Sequence, residues 1–167
     1  MRAALPAGND REVDTAGMPA IPASAGALIF DQAGRLLILK PTYKKGWTIP
    51  GGVMEADGET PWDACRREVR EECGLEVSSG RLACVDFRPS RPERSGGLRF
   101  LFDCGPADDA ALAAITVQPE EIAEHRLLPL AAALPLLRPP IRRRVRAGTR
   151  HRRCVYLENG RPVAGIT

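Results

Sequence analysis

The feature of this sequence that most constrains its fold is a helix with a marked start and a marked end, between Thr60 and Gly74. Thr60 is a favourable N-cap, Pro61 suits the first helical position, and Asp63 can serve as the acidic partner of a capping box. Gly74 can take the left-handed conformation that closes many helices. The pattern therefore predicts a helix that begins after Thr60 and ends at Gly74.

This predicted helix has a charged face and an apolar face. Each helical residue advances by about 100°, so Glu68, Glu71 and Glu72, related as i, i+3 and i+4, project from one side. A separate apolar stripe, which would seat the helix against a sheet, consists of Trp62, Cys65, Val69 and Cys73. We therefore expect the carboxylates to face a cleft.

The glutamate face indicates a divalent metal ion. Like charges at this spacing repel each other, and a bound cation would reverse that cost. Oxygen ligands without His or Cys favour Mg²⁺ or Mn²⁺ over Zn²⁺, and Mg²⁺ commonly recruits substrate phosphates. The pattern thus predicts a phosphorylated substrate. The alternative is a solvated charged helix in which Arg67 pairs with Glu71 and nothing binds.

Further apolar runs predict strands on both sides of the helix. Runs at 25–30 and 36–40 indicate a hairpin, and an extended piece at 47–49 leads into a loop that continues to Glu59. Later patterns predict antiparallel strands at 81–87 and 98–104, a strand at 124–128, a helix at 130–137 and a hairpin that turns at Asn159 and Gly160. This order suggests a mixed sheet between helices.

Residues 51–75 read GGVMEADGETPWDACRREVREECGL. This segment resembles the Nudix box, usually written G-x5-E-x7-R-E-U-x-E-E-x-G-U with U an apolar residue, and positions 67–75 match without exception. Glu59 keeps the x7 spacing, whereas six residues rather than five separate Gly52 from Glu59. The extra residue falls in the turn at 56–58, where an insertion costs little if the loop ends stay in place.

The resemblance implies a Nudix hydrolase with the α/β Nudix fold, a mixed β-sheet sandwiched between α-helices. We expect one such domain at 23–167, after a flexible leader at 1–22. The implied reaction is Mg²⁺-dependent, or alternatively Mn²⁺-dependent, attack of water on a diphosphate bond. The implied substrate is a small nucleotide-like molecule, either a nucleoside diphosphate derivative such as ADP-ribose or a nucleoside triphosphate. The resemblance also makes a homodimer an expectation.

The resemblance assigns roles to residues of the helix and of the Gly-Gly segment. Glu71 and Glu72 match the main metal ligands, and Glu68 matches a further carboxylate that binds metal or helps to deprotonate water. Gly51 matches the glycine whose backbone carbonyl completes the metal site. Arg67 is expected to orient the carboxylates, and Glu59 is expected to be a positioning residue.

Residues outside the box complete the predicted site. Many family members take a further ligand or general base from a later loop, where Glu120 and Glu121 are the candidates, and Glu121 is our choice. Side chains that could contact phosphates are Lys40, Lys44, Lys45 and Arg88, of which Lys45 and Arg88 are selected. Tyr43 could stack on a base, whereas Trp47 is interpreted as a core residue.

Composition narrows the remaining possibilities. Five cysteines, an odd number without a C-x-x-C pair, indicate buried small residues rather than disulfides or zinc. No apolar run is long enough to span a membrane and no signal peptide is visible, so we expect a cytoplasmic protein without membrane contact. The net charge of +3 is uneven, because arginines crowd at 138–153. That cluster is either a solvated helix face and loop or a surface for phosphates or nucleic acid.

Two rival functions stay open at this point. A non-catalytic Nudix-like sensor domain would bind a nucleotide or RNA, and the arginine cluster would suit it. The intact glutamates argue against a sensor, and no DNA-reading module follows the domain, so nucleic acid is not the expected partner. Prenyl diphosphate isomerisation would need a dedicated acid–base pair that the sequence does not reveal.

Overall fold

The computed structural model describes residues 16–166, which form eight strands and four helices. Residues 1–15 of the predicted leader lie outside the described part of the chain. In chain order the elements are β1 Ala23–Phe30, β2 Arg35–Pro41, β3 Gly51–Val53, α1 Pro61–Cys73, β4 Arg81–Arg88, β5 Gly97–Pro106, α2 Asp109–Ala113, β6 Ile122–Pro129, α3 Leu130–Leu136, α4 Pro139–Arg150, β7 Val155–Glu158 and β8 Arg161–Pro162.

The strands form one mixed sheet in the order β6-β2-β1-β5-β4-β7-β8. The β1–β5 and β4–β7 pairs are parallel, and the other pairs are antiparallel, including the predicted hairpins β1–β2 and β7–β8. Strand β1 is shared, because Phe30 pairs with Leu36 of β2 while Ser24 to Gly26 pair with β3. The short β3 strand thereby reaches the start of β1 and the neighbourhood of α1.

Helices cover both faces of the sheet, which confirms the predicted fold. Alternate residues of β1 and β2 point to opposite sides. Ala27 and Leu37 lie in the core beneath α1, whereas Leu28 and Ile38 lie in the core beneath α3 and α4. Each fully buried aliphatic side chain contributes about 1.5–3 kcal/mol to stability. The two cores hold α1 and α4 on opposite faces of the same central strands.

The structure of α1 confirms the predicted helix. The Thr60 hydroxyl accepts the Asp63 N–H at 3.1 Å and donates to the Asp63 carboxylate at 2.7 Å. Gly74 has φ +68° and ends the helix in the left-handed conformation. The apolar stripe is buried on the sheet, with Cys65 and Val69 fully inaccessible to solvent.

Three expectations need correction. Residues 51–53 form β3 rather than part of a loop, and this strand escaped the pattern because Gly51 and Gly52 have no side chains to show a period of two. The arginine-rich segment is not only a solvated face, since α4 buries Ile141 and Val145 against the sheet. Cys154 is exposed, although most of the other cysteines are buried as expected.

None of the helices within residues 16–166 is both long enough and apolar enough to cross a lipid bilayer.

Candidate active site

The site is built where β3 lies against α1. The Gly51 N–H donates a hydrogen bond to Glu72 Oε2 at 2.8 Å, which ties the helix carboxylate to the strand. A Cβ at Gly52 would overlap the Glu68 carboxyl group, and a Cβ at Gly51 would overlap the carbonyl of Ala25. Gly51 also has φ +145°, which side chains rarely tolerate. Gly52 is therefore required for β3 to lie this close to the Glu68 carboxylate, and Gly51 is required for β3 to lie this close to β1.

Arg67 connects the carboxylates to one another and to β3. Its Nε and Nη2 donate to the two oxygens of Glu59 at 2.7 and 3.1 Å, a bidentate ion pair. Its Nη1 donates to Glu68 at 2.9 Å and to Glu71 at 3.1 Å, and Nη2 also reaches the Val53 carbonyl at 3.0 Å. The hydrogen bonds from Arg67 hold the pKa of Glu59 below its ordinary value. Arg67 thus has the contacts of a positioning residue.

The longer loop still delivers Glu59 to this arginine. The inserted residue lies in an exposed turn at 56–58, where Gly58 has φ +92° and open space around it. Asp57 accepts the Glu59 N–H at 3.1 Å, and Glu59 in turn accepts the Glu55 N–H at 2.8 Å. The loop therefore closes on itself, and the insertion leaves the Glu59–Arg67 pair formed.

The carboxylates share a desolvated, negatively charged environment. Glu72 is only 5% exposed, and burial raises its pKa to about 8, although the Gly51 N–H acts in the opposite direction. Burial also raises the pKa of Glu68. The charge of Glu121 adds to the rise in both pKa values, which places this carboxylate near the cluster. Four acidic side chains, Glu68, Glu71, Glu72 and Glu121, therefore act on one another here.

Glu121 reaches the cluster through the edge of the sheet. The Thr42 N–H, just after β2, donates to the Glu121 carbonyl at 2.8 Å, and the Thr42 hydroxyl donates to the Glu120 carbonyl at 2.7 Å. These bonds fix the backbone that leads into β6. Within the described residues the Glu121 carboxylate accepts no hydrogen bond, unlike those of Glu68, Glu71 and Glu72.

The donor set fits a hard divalent cation by its chemistry. It offers only carboxylate oxygens, one of them deeply buried among like charges, which is an arrangement that a divalent ion stabilises. As the side chains stand, however, no three His, Cys, Asp or Glu residues in the described range converge closely enough to hold an ion. Arg67 engages one oxygen each of Glu68 and Glu71, and the second oxygen of each carboxylate accepts no hydrogen bond within the described residues.

The predicted substrate residues fall in two places. Tyr43 is exposed, and the Lys44 ammonium lies 4.7 Å from its ring centroid. Partial desolvation and the charge of Glu72 raise the pKa of Tyr43. Lys45 is exposed, while Arg88 lines a cavity on the other side of β3. Trp47 is 8% exposed, which confirms its assignment to the core.

That cavity, of about 560 Å³, is the part of the site that the sequence did not reveal. Gly51, Gly52 and Val53 line one wall, so it adjoins the carboxylate cluster across β3. The glutamates of α1 do not line it, contrary to the expected cleft. Its basic lining residues are Lys44, Arg88, Arg94, Arg99, Arg138 and Arg144. The sequence signals that could have indicated this basic cavity are the arginine cluster at 138–153 and the arginines near β5.

The sequence matches the NUDIX domain family over residues 20–148. A MutT-like protein of Streptomyces ambofaciens is 31% identical over 108 residues, which cover 61% of this chain and 67% of the relative. An RNA pyrophosphohydrolase of Hydrogenovibrio crunogenus is 42% identical over 60 residues, but the match covers only 35% of either protein.

Solved structures show the same fold. The MutT protein of Methanosarcina mazei Go1 superimposes with a TM-score of 0.66 at 23% identity, covering 80% of this chain and 96% of that one. The NUDIX domain of Shewanella oneidensis NrtR, solved with ADP ribose, also gives 0.66 at 16% identity, covering 83% and 93%.

The family match and the MutT-like and pyrophosphohydrolase relatives indicate a pyrophosphohydrolase, an enzyme that hydrolyses phosphoric anhydride bonds. The chain belongs to the Nudix hydrolase family.

Proposed function

We propose that this chain is a divalent-metal-dependent hydrolase that cleaves the diphosphate linkage of a nucleoside diphosphate derivative or a nucleoside triphosphate. The observation that carries the proposal is the buried carboxylate of Glu72, held by the Gly51 backbone among three further glutamates beside a cationic cavity. Opposite charges on the two sides of β3 suit a substrate whose phosphates must meet both a metal ion and basic side chains.

The metal ligands in this proposal are the carboxylates of Glu68, Glu71 and Glu72, together with the backbone carbonyl of Gly51. Bound Mg²⁺ or Mn²⁺ would lower the pKa of a water molecule and neutralise charge on the phosphate oxygens. Arg67 keeps the carboxylates aligned on one side of β3. Tyr43, Lys45 and Arg88 bind the substrate, with cationic groups on phosphate oxygens.

The general base in this proposal is Glu121. Glu68, Glu71 and Glu72 are assigned to the metal in this proposal, which leaves Glu121 as the carboxylate of the cluster that is not a ligand. The Glu121 carboxylate lies near the same cluster without a hydrogen bond within the described residues, and it is free to take a proton from the attacking water. The water oxygen forms the new bond to phosphorus, and the anhydride oxygen leaves with the remaining phosphate ester.

The decisive experiment is a hydrolysis panel. Phosphate release after a coupled phosphatase is measured for nucleoside triphosphates, nucleotide sugars, ADP-ribose and dinucleoside polyphosphates, with Mg²⁺, with Mn²⁺ and with chelator. We expect metal-dependent turnover of one class, lost in Glu72→Gln and retained in Glu76→Gln, whose side chain is exposed outside the site. Tight binding without turnover under every condition would instead establish a non-catalytic sensor.

Cytoplasmic location, homodimer formation and a domain boundary at residues 22–23 remain proposals. The family match from residue 20 and the start of β1 at Ala23 support the boundary.

A further inference from the structure

Five arginines from separate segments converge on the cavity beside β3. Arg88 ends β4, Arg94 lies in the β4–β5 loop, Arg99 belongs to β5, Arg138 precedes α4, and Arg144 lies within α4. Lys44 adds a sixth basic group, and no acidic side chain of the described residues lines the cavity. These arginines are far apart in the sequence, because they come from β4, the β4–β5 loop, β5 and α4. The cluster is therefore not the solvated face of a single helix.

The positive charge of this cavity is only weakly compensated by the protein. Arg144 is 14% exposed and pairs with buried Asp86 at 3.6 Å. The single charge of Asp86 also acts on Arg88 and Arg99, and its carboxylate accepts the Gly160 N–H at 2.7 Å, so one acidic group faces several guanidinium groups. Burial lowers the pKa of Arg144 to about 10, and the charges of Arg88 and Arg99 contribute to that decrease. Burial and neighbouring guanidinium groups likewise lower the pKa of Arg88. The arginines therefore repel one another.

Three of the guanidinium groups also have buried donors that make no hydrogen bond. Arg94 Nε and Arg138 Nε have no hydrogen-bond partner in the described part of the chain, and Arg144 Nη1 has only the ion pair with Asp86 at 3.6 Å. A buried donor without a hydrogen-bond partner destabilises the folded protein. An anion with several acceptor oxygens would satisfy these donors and relieve the repulsion together. Phosphate groups match guanidinium groups especially well, because both can form two parallel hydrogen bonds.

We propose that the cavity binds a phosphate-bearing part of the substrate that lies beyond the scissile diphosphate. This inference rests on the proposed function and narrows its substrate class. Because β3 separates the carboxylate cluster from the cavity, a substrate that spans β3 would place one diphosphate at the glutamates and its remaining phosphate groups among the arginines. Small polyphosphorylated molecules are then preferred over molecules such as ADP-ribose, which carries no phosphate outside the diphosphate that is cleaved.

The size of the cavity favours a small molecule over a polymer. A volume of about 560 Å³ is within the range of small-ligand sites. The adjoining groove, which Arg88 and Arg94 also line, adds Arg91, Arg143 and Arg161 but also the acidic Glu158, so the anion site is assigned to the cavity. We therefore assign the cavity to a polyphosphorylated small molecule rather than to an RNA end.

The test is metal-free binding, measured by calorimetry in chelator, with inorganic tripolyphosphate, adenosine tetraphosphate and ADP-ribose as probes. The cavity variant is the double substitution Arg94→Gln and Arg138→Gln, because neither side chain donates a hydrogen bond within the described residues and the fold should persist. The matched control is Arg146→Gln with Arg150→Gln, which removes the same charge from exposed positions of α4.

Tripolyphosphate and the tetraphosphate should bind about tenfold more weakly for each cavity arginine removed. The control should match the wild type, and the affinity for ADP-ribose should change much less. Equal tripolyphosphate affinity in the cavity variant and the control would overturn the inference, and so would an equal loss for ADP-ribose. Binding of a 5′-triphosphorylated oligonucleotide without binding of tripolyphosphate would overturn the choice of a small molecule.

Failure of this inference can be distinguished from failure of the proposed function. If ADP-ribose is hydrolysed rapidly and the cavity variant hydrolyses it equally well, while tripolyphosphate does not bind, the enzyme is confirmed and the cavity assignment is wrong. If nothing is hydrolysed but tripolyphosphate binding depends on Arg94 and Arg138, the anion site is confirmed and the catalytic proposal is wrong.

Discussion

Replacing Glu72 by Gln should stabilise the metal-free protein while it abolishes hydrolysis. Glu72 is 5% exposed, and burial raises its pKa from 4.5 to about 8. The folded protein therefore retains a proton that the unfolded chain releases, and stability is lost as pH rises from about 4.5 to about 8. The glutamine side chain keeps the shape and can still accept the Gly51 N–H, but it carries no charge that burial can penalise.

The size of the effect follows from the same pKa. One pKa unit corresponds to about 1.36 kcal/mol, so the stability advantage of Glu72→Gln should grow by about that amount per pH unit between roughly pH 5 and 8. At about pH 7 the accumulated advantage relative to acidic solution is about 3 kcal/mol. Saturating Mg²⁺ should reduce or reverse this advantage, because the ion stabilises only the charged wild-type cluster.

The assay is urea unfolding in chelator at a series of pH values, followed by circular dichroism. Glu76→Gln is the matched control, because Glu76 is exposed and the substitution removes the same charge; its stability difference from the wild type should stay flat with pH. A flat difference for Glu72→Gln as well would refute the argument that burial of this carboxylate is costly. Mg²⁺-dependent hydrolysis is measured on the same samples, and undiminished activity would remove Glu72 from the metal site.

Three further substitutions test the parts of the site separately. Deleting Gly58 should leave hydrolysis intact, because this residue lies in an exposed turn with open space around it and Arg67 holds both oxygens of Glu59. Complete loss would show that the longer loop belongs to the site. Gly52→Ala should lower kcat/KM roughly 100-fold with the fold retained by circular dichroism, because the new Cβ displaces the Glu68 carboxyl group. Glu121→Gln should lower kcat by about 10²–10⁴-fold, whereas Glu120→Gln should have little effect; equal rates in the two variants would contradict the general-base assignment.

Helix α1 could be predicted from sequence because its signals are local. The Thr60 cap, the Gly74 stop and the apolar stripe all lie within one segment, and the structure confirms each of them. Strand β3 was missed for the opposite reason, since it is defined by its partner strand and by the lack of side chains at its two glycines. Helix α4 has a helical pattern of buried residues, Ile141, Val145 and Gly148, spaced as i, i+4 and i+7. The arginines between them make this pattern hard to recognise in the sequence.

The glutamate cluster and the arginine-lined cavity differ in the same way in how far the sequence predicts them. The glutamate face of α1 can be predicted from sequence, because the spacing of Glu68, Glu71 and Glu72 puts them on one side of a helix. The cavity could not be found, because its arginines approach each other only after β4, β5 and α4 pack together. The relation between Arg88 and Arg144 is set by the sheet and the helix above it, and no sequence spacing encodes it. The arginine cluster at 138–153 therefore suggested a solvated surface when part of it faces inward.

The arrangement separates binding from chemistry along a single short strand. On one side of β3 the carboxylates repel phosphate oxygens until a cation is bound, and on the other side the arginines attract them under all conditions. Metal-free affinity should therefore be determined mainly by the arginines, and turnover by the glutamates. In the proposed reaction, Gly51 and Gly52 let both sides act on one substrate, because a side chain at Gly51 would push β3 away from β1 and a side chain at Gly52 would push it away from α1. The two glycines are therefore as necessary to the proposed site as the charged residues on either side of β3.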